Sequence, residues 1–212
     1  MVDTFEDIAS AVNLTLAEMN LRSLKHETIR GNIGSGVVNL MTRSLVDSGC
    51  NDTETAVSLF RKHYNHHLLD QTKLYPNGRA IVEHFSNKKH AILSNKPISF
   101  IEKILKALNF LSPFDSILGG DSLKEQKPNP IGLQFLMKKF NYTAKEVLMI
   151  GSIHQSHQQL LGMGIDAAVI TACPRLAIED GPTWPMPLLT IPETQIVLGR
   201  IKPEPYPFDE FA

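Results

Sequence analysis

Residues 91–105 read Ala-Ile-Leu-Ser-Asn-Lys-Pro-Ile-Ser-Phe-Ile-Glu-Lys-Ile-Leu. Ala91-Ile92-Leu93 is a short apolar run closed by polar residues and a proline, the pattern of a buried parallel strand. From Ile98 the period changes. Ile98, Ile101, Ile104, Leu105 and Leu108 fall on one face of a helix. The same alternation continues downstream, with strand-like runs at Ser116–Leu118, Val147–Ile150 and Ala167–Ile170. Between them Asn129-Pro130 offers an N-cap with proline at the first helical position, followed by Phe135, Leu136 and Phe140. Strand alternating with helix predicts an α/β fold, a parallel sheet covered by helices with ligands gathered at the carboxyl ends of the strands.

Upstream the rhythm is different. Thr4-Phe5-Glu6-Asp7 fits a capping box, and Phe5, Ile8, Ala9, Val12, Leu16 and Met19 recur at helical spacing, so the chain opens on an amphipathic helix with no strand before it. Further helices are expected around 24–31, from Val37 to Val46 and from about Thr53 to Leu69, separated by Gly34-Ser35-Gly36 and by Ser48–Asp52. Tyr75-Pro76-Asn77-Gly78 is a turn signal and marks a boundary. The expected organisation is an all-helical unit over 1–74, an α/β core over 75–172 and a tail over 173–212. Eight of the 13 prolines fall in those last 40 residues, which excludes a long final helix and predicts an irregular tail. Gln195–Leu198 is the one run in it suited to a strand.

Composition narrows the function classes. The 212 residues hold 21 basic and 22 acidic side chains, a balance that argues against nucleic acid or an anionic membrane as partner. No apolar run is long enough to span a bilayer, and the first 20 residues lack the basic start and apolar centre of a signal peptide, so the expected location is cytoplasmic. Cys50 and Cys173 show neither a CxxC nor a zinc spacing and read as buried free thiols.

Three loops at strand ends have chemistry to offer. In Ser94-Asn95-Lys96-Pro97 a small hydroxyl and backbone N–H groups near a helix start suit a phosphate oxygen. In the loop after Leu118, Lys127 precedes Pro128 and is held where its ammonium can neutralise an anion. The third is Gly151-Ser152-Ile153-His154-Gln155-Ser156-His157. His154 and His157, three residues apart at a helix start, have no third partner for a metal. His63, His66 and His67, like Arg61, Lys62, Lys88 and Lys89, read as a solvated surface.

Taken together, Ser94-Asn95-Lys96-Pro97, Lys127-Pro128, Ile33-Gly34-Ser35-Gly36 and Tyr75-Pro76-Asn77-Gly78 resemble the haloacid-dehalogenase-like superfamily, in particular its phosphoglycolate phosphatase branch. The resemblance runs to about residue 172. It implies a Rossmann-like core with a helical cap, phosphate held by Ser94, Asn95 and Lys127, and magnesium in the active enzymes. It also exposes departures. The family's first core strand ends in Asp-x-Asp-Gly-Thr-Leu-Val-Asp, whose first Asp attacks phosphorus and whose second is general acid and base. Met1-Val2-Asp3 resembles only the end of that motif, so Asp3 does not inherit the attacking role. At the two acidic positions of the magnesium motif stand Ser152 and Ser156, a degenerate metal site of uncharged hydroxyls.

No catalytic residue and no metal or other cofactor is therefore assigned from these 212 residues. The expectation is a catalytically impaired relative, a pseudoenzyme that binds a small phosphorylated ligand or acts as a regulatory protein, alone or in a homo- or hetero-oligomer. The alternative is an active magnesium-dependent phosphomonoesterase whose assigned start codon leaves out the Asp-x-Asp-Gly-Thr strand. A missing central strand would leave a gap of roughly 9.5 Å between strands 91–94 and 147–150. Either these two close up and pair, or Gln195–Leu198 or a partner chain fills the gap, or the start lies upstream.

Overall fold

The computed structural model describes residues 1–151 together with the strand residues 168–170 and 188–189. Two compact units divide the chain, Met1–Gln126 and Lys127–Ala212.

The first unit begins with a strand, where the sequence reading placed none. β1 (Val2–Asp3) pairs antiparallel with β2 (Lys73–Leu74), Val2 opposite Leu74 and Asp3 opposite Lys73. Two residues are too few for a periodic signal. Between these strands run α1 (Phe5–Glu18), α2 (His26–Asn32), α3 (Gly36–Leu45) and α4 (Thr53–His67). The α1 stripe is buried as its spacing requires, with Ile8, Val12 and Leu16 packed in one core with Val57, Phe60 and Tyr64 of α4. Asp52 caps α4, its Oδ1 accepting from the Thr55 N–H at 3.0 Å. Gly49 just ahead takes a left-handed φ of 69°, a conformation that suits glycine.

Thr4 stands at the N-cap of α1, yet its side chain makes no capping bond. Asp7 is not the far half of a capping box either. Its carboxylate is buried and turned away from its own helix, accepting from the backbone N–H of Gln71 at 2.8 Å and of Thr72 at 2.9 Å. A long-range anchor has displaced the local one: two amides 64 and 65 residues away, ahead of β2, need acceptors inside the protein.

After β2 a short helix the sequence reading did not separate, α5 (Gly78–His84), precedes β3 (Ala91–Leu93). Tyr75–Gly78 forms the expected turn, closed by Gly78 N–H donating to the Tyr75 carbonyl at 3.0 Å. β3, α6 (Ile98–Ala107) and β4 (Ser116–Leu118) form the parallel crossover read from residues 91–118, with Ala91 opposite Ser116 and Leu93 opposite Leu118. α6 joins two cores. Phe100 and Ile104 pack into the helical core, while Ile101 and Leu105 pack with Val82 and Phe110 over the inner faces of Ile92 and Ile117.

The second unit contains α7 (Ile131–Phe140), β5 (Met149–Gly151), β6 (Ala168–Ile170) and β7 (Leu188–Leu189). Pro130 rather than Asn129 occupies the N-cap, and Asn129 instead accepts the Ile131 N–H at 3.0 Å. Leu133 and Leu136 are buried, whereas Phe135, expected on the inner face, is exposed. β5, β6 and β7 run parallel in that order. The sheet thus takes a strand from the tail at Leu188–Leu189, which the proline-rich composition had masked; Gln195–Leu198 lies outside the described residues. Among the described residues β5 pairs with β6 alone, and Leu148 and Ile150, expected to be buried, are exposed. Strands 91–94 and 147–150 were candidates to pair with each other; their registered partners are β4 and β6 respectively.

The Asp7 anchor can be tested directly. Asp7→Ala leaves two amides without their acceptor and should lower the unfolding free energy by about 2–4 kcal/mol. Urea denaturation followed by circular dichroism measures it, and a loss below about 1 kcal/mol would show that the amides find other partners.

Candidate functional site

Ser94–Pro97 leaves the carboxyl end of β3, and Gly119–Ser122 leaves that of β4. Their backbones are stitched together. The Ser94 N–H donates to the Leu118 carbonyl at 3.0 Å, continuing the ladder past β3, and the Gly120 N–H donates to the Lys96 carbonyl at 2.9 Å. Asp121 Oδ1 accepts the Ile98 N–H at 2.8 Å, and Ser122 Oγ accepts the Gly119 N–H at 2.8 Å. The loops touch so closely that a Cβ on Gly119 would meet the Ile98 backbone and one on Gly120 would meet the Asn95 carbonyl. Glycine is required here for approach, not for a left-handed φ.

Within this frame the Ser94 hydroxyl oxygen accepts the Lys96 N–H at 3.1 Å, which orients the hydroxyl and leaves its proton available to a phosphoryl oxygen. Asn95 is buried and its Nδ2 donates to the Gly34 carbonyl at 3.1 Å, fastening the strand-end loop to the loop before α3. The neighbouring turn is glycine-dependent, with Gly34 at φ 127° and Gly36 at φ 84°. Lys127 opens the second unit; burial lowers its ammonium below the ordinary lysine range. Ser94 and Asn95 are thus brought together on one loop of the first unit, and Lys127 belongs to the other.

Lys96 was passed over in the sequence reading as a mere member of its tetrapeptide, and it has the most perturbed environment of the loop. Its Nζ donates to the Tyr64 hydroxyl and, at 3.4 Å, to Thr4 Oγ1, and lies 4.4 Å from the centre of the Tyr64 ring. Tyr64 is itself buried between Phe60 and Phe100. Desolvation lowers the Lys96 ammonium to about 7, against the opposing pull of Asp7, and burial raises the Tyr64 phenol well above its usual range. The signal in the sequence was positional: a lysine fixed between a strand end and a proline is close to the packed interior.

Ser152, Ser156, His154, His157 and Cys173 lie outside the described residues. Among the described residues no three His, Cys, Asp or Glu side chains converge to hold a metal. Two serine hydroxyls, the donors found at the resemblance's magnesium positions, are uncharged and do not fit that ion. Cys50 is a half-buried free thiol. His63 is not simply solvated, since Glu18 takes it at 2.7 Å and Lys62 at 3.0 Å. Among the described residues no helix is long and apolar enough to cross a membrane.

The described residues combine a parallel strand-helix-strand crossover, a polar loop at a strand end, half-buried lysines and a run of four helices, and comparison with known proteins defines the class. The model of the haloacid dehalogenase-like hydrolase family matches residues 1–170, and the chain belongs to that family. Among its relatives, the phosphoglycolate phosphatase of Colwellia psychrerythraea is 31% identical over 180 residues, 81% of this chain and 80% of that protein. The phosphoglycolate phosphatase of Haemophilus influenzae (strain 86-028NP) is 33% identical over 161 residues, 71% of this chain and 72% of that one. In fold, a phosphoglycolate phosphatase predicted in Haemophilus somnus superposes with a TM-score of 0.81 at 24% identity, covering 95% of this chain and 93% of that chain. These matches support a phosphoglycolate phosphatase-like hydrolase and lend nothing to the expectation of an impaired one.

Two outcomes follow from the geometry. Gly120→Ala should force the Asn95 carbonyl aside and cost about 1–3 kcal/mol, read as a lower urea midpoint with an unchanged slope. Lys96 has a lowered folded pKa, so between about 7 and its unfolded value near 10.4 the unfolded chain binds the extra proton. Stability should therefore rise with pH across that window, by up to about 1.4 kcal/mol per unit, and be lost as pH falls toward 7. Denaturation of Lys96→Met over the same range should lack this slope.

Proposed function

We propose that the protein is a phosphomonoester hydrolase of the phosphoglycolate phosphatase type, taking a small phosphorylated acid at the carboxyl end of β3. The observation that carries this reading is the 31% identity to a phosphoglycolate phosphatase over four fifths of both chains. The strand-end loop supports it, because an oriented hydroxyl at Ser94 offers a donor to a phosphoryl oxygen. Asn95 holds that loop against Gly34, and Lys127 is the position at which the family resemblance implies a positive charge. None of these groups attacks phosphorus. The reading requires a carboxylate nucleophile, which the family resemblance places on a strand ahead of the segment matched by Val2-Asp3.

A second reading has its own observation in its favour. Ser152 and Ser156 stand where the resemblance expects metal-binding carboxylates, and this favours a relative that binds a phosphoester without splitting it, as a regulatory subunit or oligomer.

Both are decided by assaying phosphoglycolate hydrolysis with and without magnesium, on the 212-residue chain and on one extended through the in-frame codons upstream of Met1. Under the hydrolase reading the extended chain turns over at about 1–10³ per second, and Lys127→Ala lowers kcat/KM by about 10²-fold or more. Under the binding reading neither chain turns over, while inorganic phosphate raises the melting temperature of the native chain and not of Lys127→Ala. Neither hydrolysis nor stabilisation would overturn both.

A further inference from the structure

Every polar group of Lys96 is committed to holding the strand-end loop. Its N–H donates to Ser94 Oγ, its carbonyl accepts the Gly120 N–H, and its Nζ donates to the Tyr64 hydroxyl of α4 and to Thr4 at the start of α1. The side chain therefore ties the backbone that presents Ser94 and Asn95 to two helices of the packed core. A lysine whose only task was packing would not need its ammonium placed against a phenol and a hydroxyl in a desolvated position.

We infer that Lys96 is a positioning residue that holds the Ser94-Asn95 loop in its anion-receiving form through its hydrogen bond with the Tyr64 hydroxyl, and that anion binding at the loop follows the protonation state of this amine. The inference rests on the reading of that loop as an anion site. Among the described residues the titratable groups bearing on the amine are Asp7 of α1, which favours the charged form, and the Tyr64 phenol of α4; α6 brings the uncharged Phe100 ring against Tyr64.

The chemistry is balanced in both states. With the proton on Nζ, the ammonium donates to the Tyr64 oxygen and puts a positive charge on the residue whose backbone N–H braces Ser94. When the proton leaves to solvent, the Tyr64 O–H, which burial keeps protonated, turns to donate to the neutral Nζ. The link survives and the charge disappears. A bound anion favours the charged form, and by linkage the charged form favours the anion by the same factor.

The test uses the native chain with ε-labelled lysines and inorganic sulfate, a dianion whose charge does not change between about pH 6 and pH 9. Nuclear magnetic resonance should show one lysine titrating near neutrality, absent from Lys96→Met and moved by Tyr64→Phe, which removes a single oxygen from a packed ring. Sulfate affinity by calorimetry should fall about tenfold from pH 6 to pH 9 in the native chain and several-fold less in Lys96→Met. A Lys96 amine that titrates with the surface lysines overturns the inference, and so does a sulfate profile that Lys96→Met leaves unchanged. Absence of sulfate binding at every pH would instead overturn the anion-site reading beneath it.

Discussion

Parallel pairing of β3 with β4 is the constraint on which the site depends. Three residues on each strand are in register, and the Ser94 N–H carries the ladder one step further onto the Leu118 carbonyl. Because the strands run the same way, their carboxyl ends open side by side, and the two outgoing loops must satisfy each other's backbone groups or leave them buried and unpaired. They do so through the Gly120–Lys96 and Ile98–Asp121 hydrogen bonds, which only fit if positions 119 and 120 carry no side chain. The orientation of the Ser94 hydroxyl is thus a consequence of strand direction two steps removed, through the Lys96 N–H that it accepts.

α6 makes this arrangement stiff rather than merely possible. A helix crossing between parallel strands has one face against the sheet, but α6 buries a second stripe, Phe100 and Ile104, in the helical core. Movement of the strand-end loop relative to α4 would then have to break both the Tyr64–Phe100 ring contact and the Lys96–Tyr64 hydrogen bond. Interiors packed at crystal-like density resist such small displacements.

How much of this the sequence disclosed depended on whether the determining interactions were local. The α1 stripe, the span of α4, the β3–α6–β4 crossover and the Tyr75–Gly78 turn are written in periodicity and turn chemistry, and they stand within a few residues of where the pattern put them. The Ser94 loop was legible for the same reason. What was hidden is long-range: β1 exists because Leu74 and Lys73 reach back to it, β7 because β6 offers an edge, and Asp7 serves amides 64 and 65 residues away instead of its own helix end. Thr4-Phe5-Glu6-Asp7 has the composition of a capping box, and composition has no means of recording that a better-buried acceptor was needed elsewhere. Lys96 was hidden because its partners, Tyr64 and Thr4, lie 32 and 92 residues away.

Asp7 and Lys96 are two expressions of one packing decision. α1 brings a carboxylate inside, where the Gln71 and Thr72 amides hold it, and the same helix start brings Thr4 within reach of the Lys96 amine. An attractive charge in the interior would by itself keep a lysine fully protonated. Here desolvation is the larger effect and Asp7 the smaller opposing one, so the amine is drawn down toward neutrality instead of up. The distinction matters for function: a lysine paired at contact distance with Asp7 would be a fixed positive charge, indifferent to pH, whereas one held by a phenol and a hydroxyl can give up its proton without losing its partners. The fold has placed the carboxylate where it anchors backbone and has left the amine to groups that tolerate both of its states.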